Sequence, residues 1–372
     1  MNNRERFRQI MSFSSVDRYI NSEIGIWEQT KDRWEDEGVP RGAIKDIIFL
    51  FDGDYFDLDV QRCIDIKVRE PYPFRDKEVI KVENDHEIFI DELGRKKAGK
   101  ISGRLRGMSS SMDRTIDNPV KDKSDWDEWK KNFIGSYDKR YPENWTELVD
   151  ELNERNYIIF APKFGQIGFY SFLRNLIGFE GLSYKLYDDQ KFIEEILDFL
   201  AEYYIELMKD LVKKVDIEYF HYFEDMADKN NPFVSPIMFK KLFMPRYKRF
   251  NEFLRKNGIR HIIVDSDGNI NPLVSLFLEA GINGIQPNEV NAGMDVVKLR
   301  KEYGKNLLLM GGVDKMALRK DKKAIEEEVK YRIGSIIEDG GYIPTVDHLV
   351  PPDVPLENFE YYMELKKKIL GG

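Results

Sequence analysis

HIIVDSDGNINPLVSLFLEAGINGIQ, residues 261–286, contains one full repeat of the pattern that decides the fold. His261–Val264 is a short apolar run, and Asp265-Ser266-Asp267-Gly268-Asn269 is an acidic turn. Asn271–Ala280 then has helical periodicity, and Gly284–Gln286 is a second apolar run. The same rhythm extends in both directions. Apolar runs recur at Tyr157–Phe160, Tyr219–Phe223, Leu307–Met310 and Gly341–Ile343, and helical patterns recur at Lys191–Leu211, Pro236–Lys256 and Lys322–Ile337. Short buried strands alternating with helices indicate a parallel sheet. Adding Tyr19–Ile26 and Ile47–Phe51 gives eight candidate strands, the number a closed (β/α)8 TIM barrel requires. No glycine-rich GxGxxG turn follows a strand, which argues against an open dinucleotide-binding sheet.

The expectation is one α/β barrel domain over residues 1–372, with two additions. Residues 1–12 read as an extra N-terminal helix, and a further helix carrying Trp27, Thr30 and Trp34 stops at Gly38-Val39-Pro40. Residues 57–118 read as a small β-rich insertion. Lys77–Glu83 and Glu87–Asp91 alternate polar and apolar side chains, and Asp91–Gly94 is a turn signal. Ser124 is the expected N-cap of the helix that follows.

Composition narrows the class. A net charge of −9 argues against general nucleic-acid binding, which needs a basic face. The single cysteine, Cys63, allows no intrachain disulfide and no zinc site built from several thiolates. The start, MNNRERFRQIM, lacks the apolar core of a signal peptide. No apolar run approaches the ~20 residues of a membrane span. The expected setting is the cytoplasm, with no membrane and a small-molecule substrate.

In barrels of this kind chemistry sits at the C-terminal strand ends. The residues there are Glu28 (with Glu23 inside the strand), Asp52 and Asp54, Glu224 and Asp225, Asp265 and Asp267, Glu289, Asp314, and Asp347 with His348. Any one of these acids is more simply a loop or helix-capping residue. Gathered at one mouth, they would repel one another unless a cation or hydrogen-bond donors offset them. Asp265 and Asp267, two apart, share a direction if the strand continues. With His348 they offer two carboxylates and an imidazole, a set suited to a divalent metal or to acid–base chemistry. The plainer alternatives are a turn with Asn269 capping the next helix, and a loop histidine bonded to Asp347. His221 lies inside a strand and has no patterned partner.

The order of motifs resembles the uroporphyrinogen decarboxylase superfamily. The resemblance rests on Phe223-Glu-Asp-Met-Ala, Val234-Ser-Pro, Met244-Pro-Arg-Tyr-Lys-Arg, Asp265-Ser-Asp-Gly-Asn, Pro287-Asn-Glu, Ala292-Gly-Met-Asp, Met310-Gly-Gly-Val-Asp and Gly340-Gly-Tyr-Ile-Pro-Thr-Val-Asp-His-Leu-Val-Pro-Pro-Asp-Val-Pro. It covers the chain from about residue 145 onward. It implies a (β/α)8 barrel and either cofactor-independent decarboxylation by a homodimer or methyl transfer linked to a corrinoid protein. The propionate-holding arginine motif of the decarboxylases is missing, since Glu23–Thr30 contains no arginine. The zinc-binding positions of the methyltransferases correspond to Asp265, Asp267 and His348, so the implied ligand set is oxygen, oxygen and nitrogen, for Zn2+, Mn2+ or Mg2+. Asp265, Asp267, His348 and Glu224 are the candidate catalytic residues, and Glu28, Asp52, Asp225, Glu289 and Asp347, from their places after the strands, the candidate substrate contacts. The leading expectation is a methyltransferase using a small polar donor, with a corrinoid on a separate protein as acceptor. The alternatives are a decarboxylase or lyase acting on a non-porphyrin carboxylate, and a non-enzymatic binding barrel.

Overall fold

The computed structural model describes residues 1–45, 54–101 and 113–371. In chain order its strands are β1 (Gln61–Cys63), β2 (Glu78–Glu83), β3 (His86–Ile90), β4 (Lys96–Lys100), β5 (Arg114–Asp117), β6 (Ile158–Ala161), β7 (Tyr219–Phe223), β8 (Ile262–Asp265), β9 (Gly284–Gln286), β10 (Leu308–Met310) and β11 (Tyr342–Ile343). A seven-stranded parallel sheet has the order β1-β6-β7-β8-β9-β10-β11, and β2 to β5 form a separate antiparallel sheet in sequence order.

Side chains on the parallel strands alternate between two apolar clusters. Ile158, Phe160, Tyr219, Ile263, Leu308, Met310 and Ile343 pack with Phe7, Ile10 and Met11 of the helix Asn3–Met11. Ile159, Ala161, Phe220, Tyr222, Ile262, Val264, Ile285, Leu309 and Tyr342 pack against the surrounding helices. A sheet buried on both faces explains why its strands read as continuous apolar runs. The helix Asn3–Met11 starts with a capping box, in which Asn2 Oδ1 accepts from Glu5 N at 2.9 Å and Glu5 Oε2 accepts from Asn2 N at 3.1 Å. Ile10 O accepts from Gly341 N at 2.7 Å, which fastens this helix under the inner cluster.

The segment Asn21–Trp27 meets both edge regions of the parallel sheet. Asn21 O accepts from Asp59 N at 2.7 Å, just before β1. Gly25 O accepts from Val350 N at 3.0 Å, and Trp27 N donates to Val350 O at 3.2 Å, beyond β11. Glu23 anchors the middle of the segment. It is buried with Lys366 Nζ at 2.6 Å, Tyr362 OH at 2.7 Å and Val346 N at 2.8 Å around its carboxylate.

All six strands expected from Tyr157 onward are present. The N-terminal expectations need correction. Tyr19–Ile26 forms an isolated parallel bridge at Ile26–Val350 and no regular strand. Ile47–Phe51 and Asp52 lie outside the described residues. The strand paired with β6 is Gln61-Arg62-Cys63, which the sequence placed inside the β-rich stretch. It is short and polar and Arg62 is exposed, so it carries no apolar-run signal. The helix expected to start at Ser124 is capped by Asp122, whose side chain accepts from Ser124 N and Asp125 N.

Candidate active site

The mouth is built where β7, β8, β9 and β10 and the loop after β11 end together. In the parallel register Phe223 lies beside Asp265, and Asp265 beside Gln286. Asp265 is two residues beyond the inward-facing Ile263, so it shares that face. Gln286 Nε2 donates to Asp265 Oδ2 at 2.7 Å and lies 3.0 Å from His221 Nε2. The His221 imidazole is buried next to Phe164, and among the described residues its Nδ1 has no hydrogen-bond partner. The expectation that His221 lacked a partner was a limit of one-dimensional reading, because its neighbours come from β8 and β9.

The consecutive acids Glu224 and Asp225 have opposite environments. Glu224 is fully buried, and its carboxylate accepts from Phe169 N at 2.6 Å, Tyr170 N at 2.8 Å, Ser171 N at 3.1 Å and the Tyr247 hydroxyl. It therefore caps the helix Tyr170–Ile177, with its lone pairs committed to the protein. Burial pushes its pKa up, while these donors pull it down. Asp225 adopts a left-handed backbone conformation, φ 39°. Burial, together with the charges of Asp267 and Asp265, pushes its carboxyl up to about 7, against the pull of Arg174 and Arg69.

Asp267 and His348 form the next pair, with Oδ2 and Nε2 3.5 Å apart. The His348 ring stacks on Trp27, centroids 6.2 Å apart and planes at 21°. Burial lowers its pKa, but the hydrogen bond and charge of Asp267 outweigh this, so the imidazole is held above its ordinary value. Glu28 follows Trp27 at the start of the helix Glu28–Asp36 and is half-buried.

Across the mouth the acids are neutralised. Lys315 Nζ lies 3.5 Å from Glu289 Oε1 and 3.4 Å from Asp347 Oδ1. The buried Asp347 also accepts from Val290 N at 2.9 Å and Lys315 N at 3.1 Å, so it braces two loops. Glu289 Oε2 accepts from Gly268 N at 3.1 Å. Gly268 has φ +83°, and a Cβ there would come within 2.6 Å of Asp228 O, so the loop carrying Asp267 packs too tightly for a side chain. Lys315 was missed in the sequence because only acids were sought beyond the strands, although it closely follows Gly311-Gly312-Val313-Asp314 after β10.

The three expected metal ligands are thus divided between two arrangements. Asp265 is committed to Gln286, with His221 Nε2 3.7 Å from its Oδ2, while Asp267 faces His348. Among the described residues no group of three or more His, Cys, Asp or Glu side chains is placed to hold an ion. As placed, the trio does not fit a metal. Also among the described residues, no helix is long and apolar enough to cross a membrane.

The uroporphyrinogen decarboxylase (URO-D) family model matches residues 169–369, from the helix capped by Glu224 to the last helix. A methyltransferase from Methanosarcina mazei superposes with a TM-score of 0.61 over 99% of each chain at 15% identity, which establishes a shared fold. A B12-independent methionine synthase from Shewanella sp. W3-18-1, solved in complex with selenomethionine, gives a TM-score of 0.35 at 12% identity, over 60% of this chain and 66% of that one. No curated protein matches the chain.

Proposed function

The chain belongs to the uroporphyrinogen decarboxylase family, and from that premise we propose that it is a methyltransferase acting on a small polar O- or N-methyl donor. The reading takes Asn21–Trp27 as the eighth stave of a closed barrel. The observation that carries it is the place of Asp225, a carboxyl beyond the end of β7 with a left-handed backbone that lines an open cleft, where burial and the charges of Asp267 and Asp265 hold it up at about 7. A group with that pKa exchanges a proton at little cost.

The acceptor in this reading is a corrinoid on a separate protein, which supplies the reduced metal centre that takes the methyl group. The work left to this chain is proton handling and placement. When the bond from the methyl carbon to the donor oxygen or nitrogen breaks, the electron pair stays on the heteroatom. One proton, shared between Asp225 and that atom, ends on the heteroatom and lets it leave neutral. Asp265, oriented by Gln286, and Asp267, paired with His348, surround the site with negative potential and favour a cationic or hydroxylated donor. Trp27 gives the mouth an aromatic wall behind His348. A porphyrinogen bearing many carboxylates would meet Glu28, Asp225 and Asp267 without a propionate-binding arginine in Glu23–Thr30, an electrostatic mismatch.

The test is to mix the protein with cob(I)alamin and a panel of O-methyl and N-methyl donors and to follow the loss of the Co(I) absorbance. At least one donor should be consumed, and Asp225→Asn should lower kcat by about 10²-fold or more. No consumption of any donor, with CO2 released from a carboxylic acid instead, would replace this reading by the lyase alternative.

A further inference from the structure

Beside Asp225 lies an open cleft of about 690 Å3 between β4–β5 and the helix Tyr170–Ile177. Among the described residues four cations line it, and three already have carboxylate partners. Arg95 bonds Asp91 at 2.7 Å, Lys97 lies 3.7 Å from Asp113, and Lys121 lies 3.0 Å from Asp117. Arg174 is different. Among the described residues its guanidinium makes one hydrogen bond, Nη1 to Asp225 O at 3.3 Å, and otherwise packs over the rings of Phe179 and Phe233.

Arg69 reaches the same strand end from behind. It is 9% exposed and donates to Ser171 Oγ at 2.5 Å, to Gln166 O at 3.2 Å and to Phe223 O at 3.5 Å, with no carboxylate within salt-bridge distance among the described residues. Ser171 and Arg174 lie three residues apart on one helix, so they share a face. The two guanidiniums therefore bond carbonyls of the same short strand end, Phe223 and Asp225. Neither guanidinium forms an ion pair among the described residues, although the charge of Asp225 reaches both, so a ligand carboxylate can engage their remaining N–H groups.

We propose that Arg174, backed by Arg69, is a carboxylate-binding subsite, and that together with Asp225 it selects a small zwitterion carrying an ammonium and a carboxylate a few bonds apart. The unpaired guanidinium and the carboxyl of Asp225 line one cleft, so such a ligand satisfies both charges at once. A monoanionic carboxylate suits the place better than a phosphate, because Asp225 and Glu224 close by oppose a second negative charge. The zwitterion's role as methyl donor rests on the methyl-transfer reading; its binding does not.

The experiment is calorimetric titration of the full chain with N,N-dimethylglycine, with isovalerate (its shape without the ammonium), with dimethylethylamine (its shape without the carboxylate) and with inorganic phosphate. Dimethylglycine should bind about tenfold or more tightly than any of the other three. Arg174→Gln should reduce it to the level of dimethylethylamine, Arg174→Lys should restore part of the loss, and the melting temperature should be unchanged in both. Equal binding of the first three probes, stronger binding of phosphate, no detectable binding of dimethylglycine, or an Arg174→Gln variant that binds it normally would each overturn the subsite. Binding of dimethylglycine without methyl loss to cob(I)alamin would leave the subsite standing and remove the methyl-transfer role from this ligand.

Discussion

The two sides of the mouth spend their acids differently. On one side Glu289 and Asp347 share Lys315, and backbone N–H groups take up the remaining lone pairs of Asp347. On the other, Asp225, Asp265 and Asp267 face one another with His348, Arg174 and Arg69 as the nearby cationic groups. The first side is an internal brace whose charges are already offset, and it holds the loops after β9, β10 and β11 together. The second has charge left over for a ligand. The contrast is sharpest within two residues: Glu224 is fully used by the fold, and Asp225 is not.

The largest expected effect tests that contrast at Glu224. Glu224→Ala strands three buried N–H groups and the Tyr247 hydroxyl, and should cost about 3–5 kcal/mol of stability. A denaturant midpoint shift equivalent to less than about 1 kcal/mol would show that the carboxylate does not tie the helix Tyr170–Ile177 to β7.

Asp225→Asn should act in the opposite direction, and only above acidic pH. An unfolded Asp titrates near 4, whereas Asp225 in the fold is held up at about 7. Below about pH 4 both states carry the proton and nothing is lost. As pH rises from about 4 to 7 the unfolded chain releases its proton first, so the native state loses stability. Asn has no proton to lose. The variant should be more stable than wild type by about 2–4 kcal/mol at pH 8, with the gap closing toward pH 4. Thermal melts at pH 4, 6 and 8 measure it, and a gap that does not change with pH would mean Asp225 titrates normally.

What was legible in the sequence follows the same division. Strands β6 to β11 announced themselves because both their faces are buried, which makes most of their residues apolar. β1 did not, because Gln61-Arg62-Cys63 is short and polar and Arg62 is exposed. The candidate acids were legible as a group from their place after strands. Their roles were not, since the donors that commit Glu224 come from residues 169–171 and 247, and those that commit Asp347 from residues 290 and 315. The cations were the larger omission. Lys315, Arg174 and Arg69 lie in a loop, on a helix and in irregular chain, positions where a lysine or arginine is ordinarily a solvated surface residue.

The smallest effect concerns the pair that joins the ends of β8 and β11. His348 and Asp267 are 33% and 40% exposed, so their contact should contribute less than about 1 kcal/mol after screening. Its sign is still readable. An imidazole held above its ordinary value stabilises the fold fully below that ordinary value, about 6.5, and the contribution is lost as pH rises through the raised one. The direct measurement is the titration of the His348 ring by NMR in wild type and in Asp267→Asn. The midpoint should fall in the variant, because burial then acts with only Asp347 left to oppose it, and the charge of Lys315 adds to the fall. An unchanged midpoint would mean that Asp267 does not govern His348. Repeating the titration with added Zn2+ sharpens the division of Asp265 from the other two. A His348 that still takes up its proton at the same pH is not metal-bound, as the separate commitments of Asp265 and Asp267 lead one to expect. A titration step that vanishes would show that an ion can draw the two arrangements into one, since a coordinated imidazole nitrogen no longer accepts the proton.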